Sequence, residues 1–311
     1  MKPLRIATRA SQLALTQSGW VARRIEERLG VATELVPLRT TGDRLANVSL
    51  AKVGGKGLFV KELEEALLDG RADLAVHSAK DLPARLPEGL ALVAFPERAD
   101  PRDALVAGGR FRRLADLPPG ARVGTGSVRR SAQLLAWRPD LRIVPLRGNV
   151  PTRIARLDEG GLEAVILACA GLDRLALAER IDERIASERL LPAVGQGVLA
   201  IEARAGGALA ADLSAALDHA DSARALAAER ALLAGLEGDC NVPLAGFAEP
   251  LADGRLRLRA LVASPDGTRV VRAEEEGADP EALGRAVAER LLAEGAAAIL
   301  ADLRPTPEAA G

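Results

Sequence analysis

The chain has 311 residues, with 42 Lys and Arg against 43 Asp and Glu, and a formal net charge of −1. This balance argues against a protein that binds nucleic acid through its phosphates, because such proteins carry a basic domain. Hydrophobic residues make up 48% of the chain, which is enough for a sizeable core, and the length favours about two domains.

The sequence also argues against membrane, secreted and metal-binding classes. No apolar run is long enough to span a membrane, and the N-terminus lacks a secretion-signal pattern, so we expect a cytoplasmic protein. Cys169 and Cys240 form neither a CxxC pair nor a disulfide framework, so we expect reduced thiols. With His77 and His219 as the two histidines, a histidine-rich metal site lacks ligands, and we expect no metal.

The first hundred residues alternate short apolar strands with amphipathic helices. A predicted helix at 12–29 carries Val21, Ile25 and Leu29 at intervals of four residues. The other elements predicted here are strands at 4–9, 33–39, 72–78 and 90–98 and a helix at 58–70. Strands that alternate with helices of this length predict parallel βαβ units.

A long stretch between Thr40 and Gly57, TTGDRLANVSLAKVGGKG, shows no clear periodicity. Loops of this length are lids, binding loops or disordered segments, and the residues alone do not choose between a lid and surface disorder. Lysine is scarce in this arginine-rich chain, yet four lysines lie within thirty residues of one another: Lys52, Lys56, Lys61 and Lys80. Positions that escape the compositional bias are candidates for a site.

A second alternating block follows a short charged connector, ERADPRDA, which we interpret as a hinge. Its predicted elements are strands at 103–107, 121–127, 141–147 and 164–170 and helices through 131–137 and 152–160. The segment 190–204 is predicted to return to the first block as a strand. From about residue 245 the pattern changes to alternating strands and a helix that begins at Pro280 after Asp279, which predicts a small α+β domain with an antiparallel sheet.

Charged and polar side chains follow the predicted strands of both blocks. In open parallel sheets, ligands bind at the carboxyl ends of the strands, so two blocks that face each other across a hinge would direct these groups into one cleft. A cleft rich in arginine favours a ligand with several carboxylates or phosphates. The residues at these strand ends are Arg9, Ser11, Lys80, Asp81, Ser127, Arg129, Arg130, Arg147 and Arg153.

Two candidate residues remain ambiguous from the sequence. Asp81 is the acid beside this basic rim, and it is either a counter-ion for the cations or a group that stabilises a developing cation and moves a proton. Cys169 ends an apolar run and is expected to be a core thiol. Cys240 lies in a predicted loop, where its thiol is a nucleophile, an attachment point or, as the residues alone favour, an inert surface group.

Taken together, the motifs resemble one family, porphobilinogen deaminase, also called hydroxymethylbilane synthase. The resemblance covers nearly the whole chain in order. The motifs that carry it are LRIATRASQLAL, TTGDR, GGKGLFVKELEEALLDGRADLAVHSAKDLP, RDALV, VGTGSVRRSAQL, LRGNVPTRIARLDEG, ILACAGLDRL, LPAVGQGVLAIEAR and LEGDCNVPLAGFAE.

The resemblance implies a three-domain α/β fold. Two periplasmic-binding-protein-like (type II) α/β domains would surround a hinge cleft, and a small α+β C-terminal domain would carry the cofactor cysteine. The expected boundaries are 1–98 with 197–217 for domain 1, 99–196 for domain 2 and 218–311 for domain 3.

The resemblance also implies the activity. The enzyme would be a transferase of porphyrin and heme biosynthesis that joins four porphobilinogen molecules head to tail into hydroxymethylbilane and releases ammonia. Its primer would be a dipyrromethane cofactor, bound covalently through Cys240. The implied partners are porphobilinogen and the growing polypyrrole chain, with no nucleic acid and no membrane, and the expected state is a cytoplasmic monomer.

Residue roles follow by motif. Asp81 matches the catalytic aspartate, and Lys52 and Lys56 would close a lid over the cleft. The expected cofactor-binding residues are Cys240, Lys80, Ser127, Arg129, Arg130, Thr125 and Gly148. The expected substrate-binding residues are Arg9, Ser11, Arg147, Arg153, Gln196, Lys52 and Lys56.

Two alternatives stay open at this point. A non-catalytic, two-lobed anion receptor would have a similar arginine-lined cleft but no use for Cys240, and it would usually carry a secretion signal. An unprimed relative would have an idle cysteine.

Overall fold

The structure is a computed structural model, and it describes residues 2–41, 60–236 and 242–303. Over these residues the chain forms two five-stranded sheets and one three-stranded sheet, with helices packed against them. The strands are β1 (Leu4–Arg9), β2 (Thr33–Leu38), β3 (Leu74–Ser78), β4 (Leu90–Ala94), β5 (Asp103–Val106), β6 (Arg122–Thr125), β7 (Arg142–Pro145), β8 (Ala164–Ala168), β9 (Glu183–Ile185), β10 (Leu199–Arg204), β11 (Leu244–Pro250), β12 (Leu256–Ala263) and β13 (Val270–Gly277).

The α-helices are α1 (Gln12–Leu29), α2 (Lys61–Leu68), α3 (Val128–Trp137), α4 (Val150–Asp158), α5 (Cys169–Arg174), α6 (Ala208–Leu217), α7 (Ala220–Gly235), α8 (Pro280–Leu291) and α9 (Ala297–Asp302). The predicted helix at 12–29 is confirmed in full, because Val21 and Ile25 pack into the same core as Ile6 of β1. Within the part of the chain that the structure describes, no helix is both long and apolar enough to cross a bilayer.

The two large sheets share one strand order. The first lobe, built on β1–β4 and β10, has the order β2-β1-β3-β10-β4, and the second lobe, built on β5–β9, has the order β7-β6-β8-β5-β9. In each sheet one strand, β10 in the first lobe and β5 in the second, comes directly after the chain has crossed from the other lobe. This shared order is the type II arrangement that the resemblance implied, and the predicted fold class is confirmed.

The predicted parallel units are confirmed by the parallel pairs of β1 with β2 and β3 and of β6 with β7 and β8, but one strand in each lobe runs the other way. β10 runs antiparallel to β3 and β4, and β5 runs antiparallel to β8 and β9. Both strands enter their sheet directly from the other lobe, so no crossover helix returns the chain to the starting edge. Hydrophobic periodicity reports which face of a strand is buried and carries no information about its direction.

The third unit, built on α7–α9 and β11–β13, has an antiparallel sheet, as predicted. α8 begins at Pro280, and the Asp279 side chain accepts a hydrogen bond from the Ala282 amide at 3.0 Å, which satisfies a backbone donor of the first turn. Ala132 of α3 lies in a buried cluster with Phe247 and Leu261 of the third unit. The third unit is therefore packed against the second lobe.

A buried glutamate joins the third unit to the hinge. Glu229 of α7 is fully buried and accepts hydrogen bonds from Arg98 Nη1 at 2.6 Å, the Gly195 amide at 2.6 Å and the Ala248 amide at 2.8 Å. Arg98 lies in the first crossing between the lobes, and Gly195 lies in the second. The guanidinium of Arg98 also lies 4.7 Å from the centre of the Phe247 ring. This junction fixes both crossings against the third unit.

Candidate active site

A cavity of about 740 Å³ lies between the two lobes, at the carboxyl ends of β1, β3, β6 and β7, and we call it the cleft. This volume is within the range of about 300–1,000 Å³ that holds small ligands. The cleft has this position because the residues that follow the carboxyl ends of the strands lie at its rim, as in other open α/β sheets.

The cleft is strongly cationic. Among the described residues that line it, seven carry a positive charge and one, Asp81, is acidic. The seven cations are Arg9, Arg39, Lys80, Arg130, Arg147, Arg153 and Arg174. Such an excess of cations in a confined space favours a ligand with several carboxylates.

Asp81 is the last residue of a short 3₁₀ turn, Ala79–Asp81, which follows β3 directly. The Asp81 side chain is 37% exposed, and its Oδ2 lies 4.0 Å from Arg9 Nη1. Asp81 therefore has a cationic neighbour and still faces the cleft. A carboxylate in this position is accessible to a ligand.

Lys80 sits beside this acid and is partly buried. Its Nζ donates to Gln196 Oε1 at 3.4 Å. Burial, and after it the charge of Arg130, lowers the pKa of Lys80 to about 8, while the carboxylates of Asp81 and Asp103 act in the opposite direction. Because burial disfavours the charged ammonium of Lys80, an anionic ligand beside it would stabilise that charge.

Two further cations of the cleft are held by backbone carbonyls. Arg153 Nε donates to the Gly148 carbonyl at 2.8 Å, and Arg174 Nη2 donates to the Gly197 carbonyl at 2.8 Å. Burial lowers the pKa of each guanidinium to about 10. Gly148 has a φ of 103°, and a Cβ there would meet Thr152 Cγ2 at 2.9 Å, so this turn requires glycine.

The predicted serines both cap helices. Ser11 Oγ accepts from the Ala14 amide at 3.3 Å at the start of α1, and Ser127 Oγ accepts from the Arg130 amide at 3.4 Å at the start of α3. Ser11 lines the cleft, whereas Ser127 does not. The two residues occupy equivalent positions in the two lobes, after β1 and after β6.

Several predicted residues lie behind the cleft rather than along it. Arg129 is buried and donates from Nη2 to Asp103 at 2.7 Å and from Nη1 to the Leu191 carbonyl at 2.6 Å. Thr125 is buried, and its hydroxyl accepts from the Ser127 amide at 3.2 Å. Gln196 is buried at the second crossing. The residues predicted for the site that do line the cleft are Arg9, Ser11, Lys80, Asp81, Arg130, Arg147, Gly148 and Arg153.

Five polar residues line the cleft but were not predicted for the site: Gln17, Arg39, Ser78, Asn149 and Arg174. Arg39 directly follows β2, so the strand-end rule could have found it. Arg174 closes the short helix α5, well after a strand end, and the sequence carries no signal for it.

The two cysteines differ in what the structure says of them. Cys169 is fully buried, and burial raises the pKa of its thiol to about 12, which confirms the predicted core thiol. Cys240, Lys52 and Lys56 lie outside the residues that the structure describes.

Comparison with known families decides what this cleft belongs to. A family model described as porphobilinogen deaminase, dipyromethane cofactor binding domain, matches residues 4–212, and one described as porphobilinogen deaminase, C-terminal domain, matches residues 223–293. The chain belongs to the porphobilinogen deaminase family.

Curated relatives agree over nearly the whole length. The porphobilinogen deaminase of Geobacter metallireducens is 52% identical over 305 residues, 97% of this chain and 95% of the relative. That of Desulforudis audaxviator is 53% identical over 302 residues, 96% of this chain and 97% of the relative. That of Chromobacterium violaceum is 51% identical over 314 residues, 99% of this chain and 100% of the relative.

Solved structures of other proteins align with part of this chain at lower similarity. The immunogenic lipoprotein A of Vibrio vulnificus aligns with a TM-score of 0.45 and 15% identity over 71% of this chain and 96% of that one. The methionine binding protein MetQ aligns with a TM-score of 0.44 and 15% identity over 68% of this chain and 89% of that one.

Family membership gives the activity. The chain is a deaminating transferase of porphyrin and heme biosynthesis: it condenses four porphobilinogen molecules head to tail into hydroxymethylbilane, releases ammonia and uses a dipyrromethane cofactor. The alternative of a non-catalytic anion receptor is set aside. The cleft fits a dipyrromethane, because each pyrrole ring of that group carries an acetate and a propionate and the described lining carries seven cations.

Proposed function

We propose that Asp81 is the catalytic residue of this transferase and that the cations around it bind the carboxylates of substrate and cofactor. The observation that carries the proposal is the composition of the described rim, where one acid faces the cleft among seven cations. A carboxylate repels the carboxylates of a ligand, so Asp81 would serve the reaction itself and the cations would serve binding.

The chemistry of the substrate assigns that task. When the aminomethyl group of porphobilinogen leaves as ammonia, positive charge develops on the pyrrole ring. The carboxylate of Asp81 stabilises that charge and accepts the hydrogen bond of the pyrrole N–H. Its 37% exposed side chain leaves room for a substrate atom at this point.

The cations provide binding and orientation. Arg9, Arg147 and Arg153 are proposed to bind the substrate acetate and propionate, with Ser11 beside them in the cleft. Gln196, predicted for the same set, is buried at the second crossing and is proposed to act through Lys80, which donates to its side chain. Guanidinium groups match carboxylates in paired hydrogen bonds, which sets the angle of the ring and not only its position. Lys52 and Lys56 are proposed to close over the bound chain as a lid.

The cofactor is proposed to be attached to Cys240 through a thioether. Lys80, Arg130 and Gly148 would hold it in the cleft. Thr125, Ser127 and Arg129, predicted for the same set, do not line the cleft and are proposed to act from behind it by holding the start of α3. When bound, the group supplies a pyrrole carbon that acts as the nucleophile for the first substrate unit. The protein's own residues hold its carboxylates and exclude competing anions.

The domain boundaries follow the same proposal. Domain 1 would comprise residues 1–98 and 197–217, domain 2 residues 99–196 and domain 3 residues 218–311. The sheets support this division, because β10 joins β3 and β4 although it follows the second lobe in sequence.

A cytoplasmic monomer that binds no nucleic acid is proposed for the whole chain. Size-exclusion chromatography with light scattering tests whether it is a monomer.

Intact mass measurement tests the attachment. We expect the purified chain to carry a mass increment of two deaminated porphobilinogen units, mapped to the peptide around Cys240. Cys240→Ser should lack the increment and nearly all turnover, whereas the control Cys169→Ala should keep both. A wild-type chain that stays bare after incubation with porphobilinogen contradicts the proposal.

Turnover of Asp81→Asn tests the catalytic residue. Positioned acid and base groups contribute about 10²–10⁴-fold to rate, so kcat should fall by this factor while the mass increment on the chain is retained. The matched control is Asp116→Asn in the second lobe, because Asp116 pairs with Arg113 away from the cleft. Equal turnover of Asp81→Asn and the control would refute the assignment.

A further inference from the structure

A buried carboxylate lies behind the cleft, and its partners come from the second lobe and the hinge. Asp103 is the first residue of β5 and is fully buried. It accepts hydrogen bonds from Arg129 Nη2 at 2.7 Å, Arg130 Nη2 at 2.7 Å and Gln196 Nε2 at 3.0 Å. A buried charge needs such partners to offset its desolvation, so the position of this carboxylate is fixed from three sides.

One of these partners reaches the cleft. Arg130 donates to Asp103 from Nε at 3.0 Å as well as from Nη2, and its Nη1 donates to the Ile166 carbonyl at 3.1 Å. Because the guanidinium is planar, anchoring it through Nε and Nη2 also fixes the direction of its remaining N–H groups. Arg130 lines the cleft, so Asp103 determines how this cation faces a ligand.

The other route to the cleft runs through the hinge. Gln196 Nε2 donates to the Pro101 carbonyl at 2.6 Å and to Asp103 Oδ1 at 3.0 Å. Both donors of the amide have acceptors, which sets the direction of its oxygen. That oxygen accepts from Lys80 Nζ at 3.4 Å. A chain of contacts thus leads from a buried acid of the second lobe to the lysine next to Asp81 in the first.

We propose that Asp103 is a positioning residue for the transferase reaction: it acts through Arg130 and Gln196 to hold two cations of the cleft, Arg130 and Lys80, in the orientation that receives a substrate or cofactor carboxylate beside Asp81. This inference rests on the proposed roles of Lys80 and Asp81. It adds a residue that touches neither ligand and that links the two lobes.

The charges around Lys80 determine the direction in which its pKa should change when Asp103 is replaced. Arg130 and Arg129 of α3 face this lysine as cations, while Asp81 and Asp103 face it as anions. Asp103 raises the pKa of Lys80 against the larger effect of burial, so the loss of its charge lowers that pKa below its present value of about 8. A larger fraction of Lys80 is then neutral near pH 7 and unable to bind a carboxylate.

Amine labelling of the holoenzyme measures this directly. Trace labelling with acetic anhydride between about pH 6 and about pH 10, with mass spectrometry of the peptide that contains Lys80, gives the midpoint of its reactivity. We expect Asp103→Asn to lower that midpoint by at least about half a pH unit. The control is Asp73→Asn, which breaks an ion pair with Arg5 in the first lobe and should leave the midpoint unchanged.

Steady-state kinetics on the same samples supply a second readout. In Asp103→Asn the KM for porphobilinogen should rise about tenfold, the cost of one charge-assisted hydrogen bond, with a smaller fall in kcat. The alkaline limb of kcat/KM should move to lower pH together with the labelling midpoint. A role in stability alone would lower the Tm and leave both the midpoint and KM in place.

Gln196→Met provides an independent test that keeps the arginines paired with Asp103. It removes the amide from between Asp103 and Lys80, and we expect the midpoint to fall and KM to rise, as in Asp103→Asn. If Asp103→Asn does not fold, this variant decides alone. Unchanged values in the folded variants overturn the positioning role, whereas a shifted midpoint with normal kinetics leaves the contact network standing and refutes the proposed role of Lys80.

Discussion

The two lobes have the same strand order but place their key acids in opposite environments. Asp81 follows β3 of the first lobe, 37% exposed at the rim of the cleft. Asp103 begins β5 of the second lobe, fully buried and paired with Arg129 and Arg130. Both acids lie close to the same group of cations. Burial and hydrogen bonding, rather than residue type, separate an acid that faces the cleft from one that is paired behind it.

Unfolding measurements should separate the two acids most clearly. Removing one member of a buried ion pair leaves the partner unpaired, so Asp103→Asn should lower the free energy of unfolding by about 3–5 kcal/mol in urea. Asp81→Asn should change it by less than about 1 kcal/mol, because its pair with Arg9 is long and partly exposed. Similar losses of unfolding free energy in the two variants would contradict the different structural roles of the two acids.

The pH dependence of that loss has a fixed sign. Burial by itself raises the pKa of Asp103, but the charges and hydrogen bonds of Arg129 and Arg130 lower it to about 2. The folded pKa is thus below the unfolded value of about 3.9, so the stabilisation is present above about pH 4 and disappears as the pH falls through about 2. The difference between wild type and Asp103→Asn should shrink over this interval.

Glu229 tests whether the rule for buried acids extends to the hinge. Its carboxylate accepts from Arg98 and from two backbone amides, so Glu229→Gln should cost roughly 2–3 kcal/mol by urea unfolding. Limited proteolysis should cut this variant faster than the wild type at the crossings between the lobes. A stability equal to that of the control Glu281→Gln, an exposed residue of α8, would contradict the role of the junction.

The capping serines compare equivalent positions of the two lobes. Ser11→Ala and Ser127→Ala should each cost about 1 kcal/mol, because each removes the acceptor of a backbone amide in the first turn of a helix. Ser11 lines the cleft and Ser127 does not, so Ser11→Ala should also raise the KM for porphobilinogen. An equal rise in KM for both variants would place Ser127 in contact with the ligand as well.

Lys80 is expected to give a change in stability of opposite sign. Its folded pKa of about 8 is below the unfolded value of about 10.4, so the unfolded chain binds more protons between these values and stability rises with pH there. Lys80→Met should therefore stabilise the chain at pH 7, and the gain should fade as the pH rises from about 8 to about 10. Loss of turnover in this more stable variant would show that stability is given up for binding.

The fold was largely predictable because its signals are local. The period of Val21, Ile25 and Leu29 predicted α1 to its exact ends, and Asp279 with Pro280 predicted the start of α8. Strand direction was not predictable, because β5 and β10 take theirs from crossings between distant parts of the chain. The candidate cleft was predicted in part: the strand-end rule correctly placed Arg9 and Asp81 along it.

What the sequence by itself determined is the set of elements, the family motifs and the excess of cations at strand ends, because each depends on neighbouring residues. Only the tertiary structure decided which cations line the cleft. Arg129 and Arg130 are adjacent in sequence and both donate to Asp103, yet Arg129 lies behind the cleft, where it also donates to the Leu191 carbonyl, and Arg130 lines the cleft. The physical reason is that a buried carboxylate must be paired, and its partners are chosen by distances in space that no local pattern records.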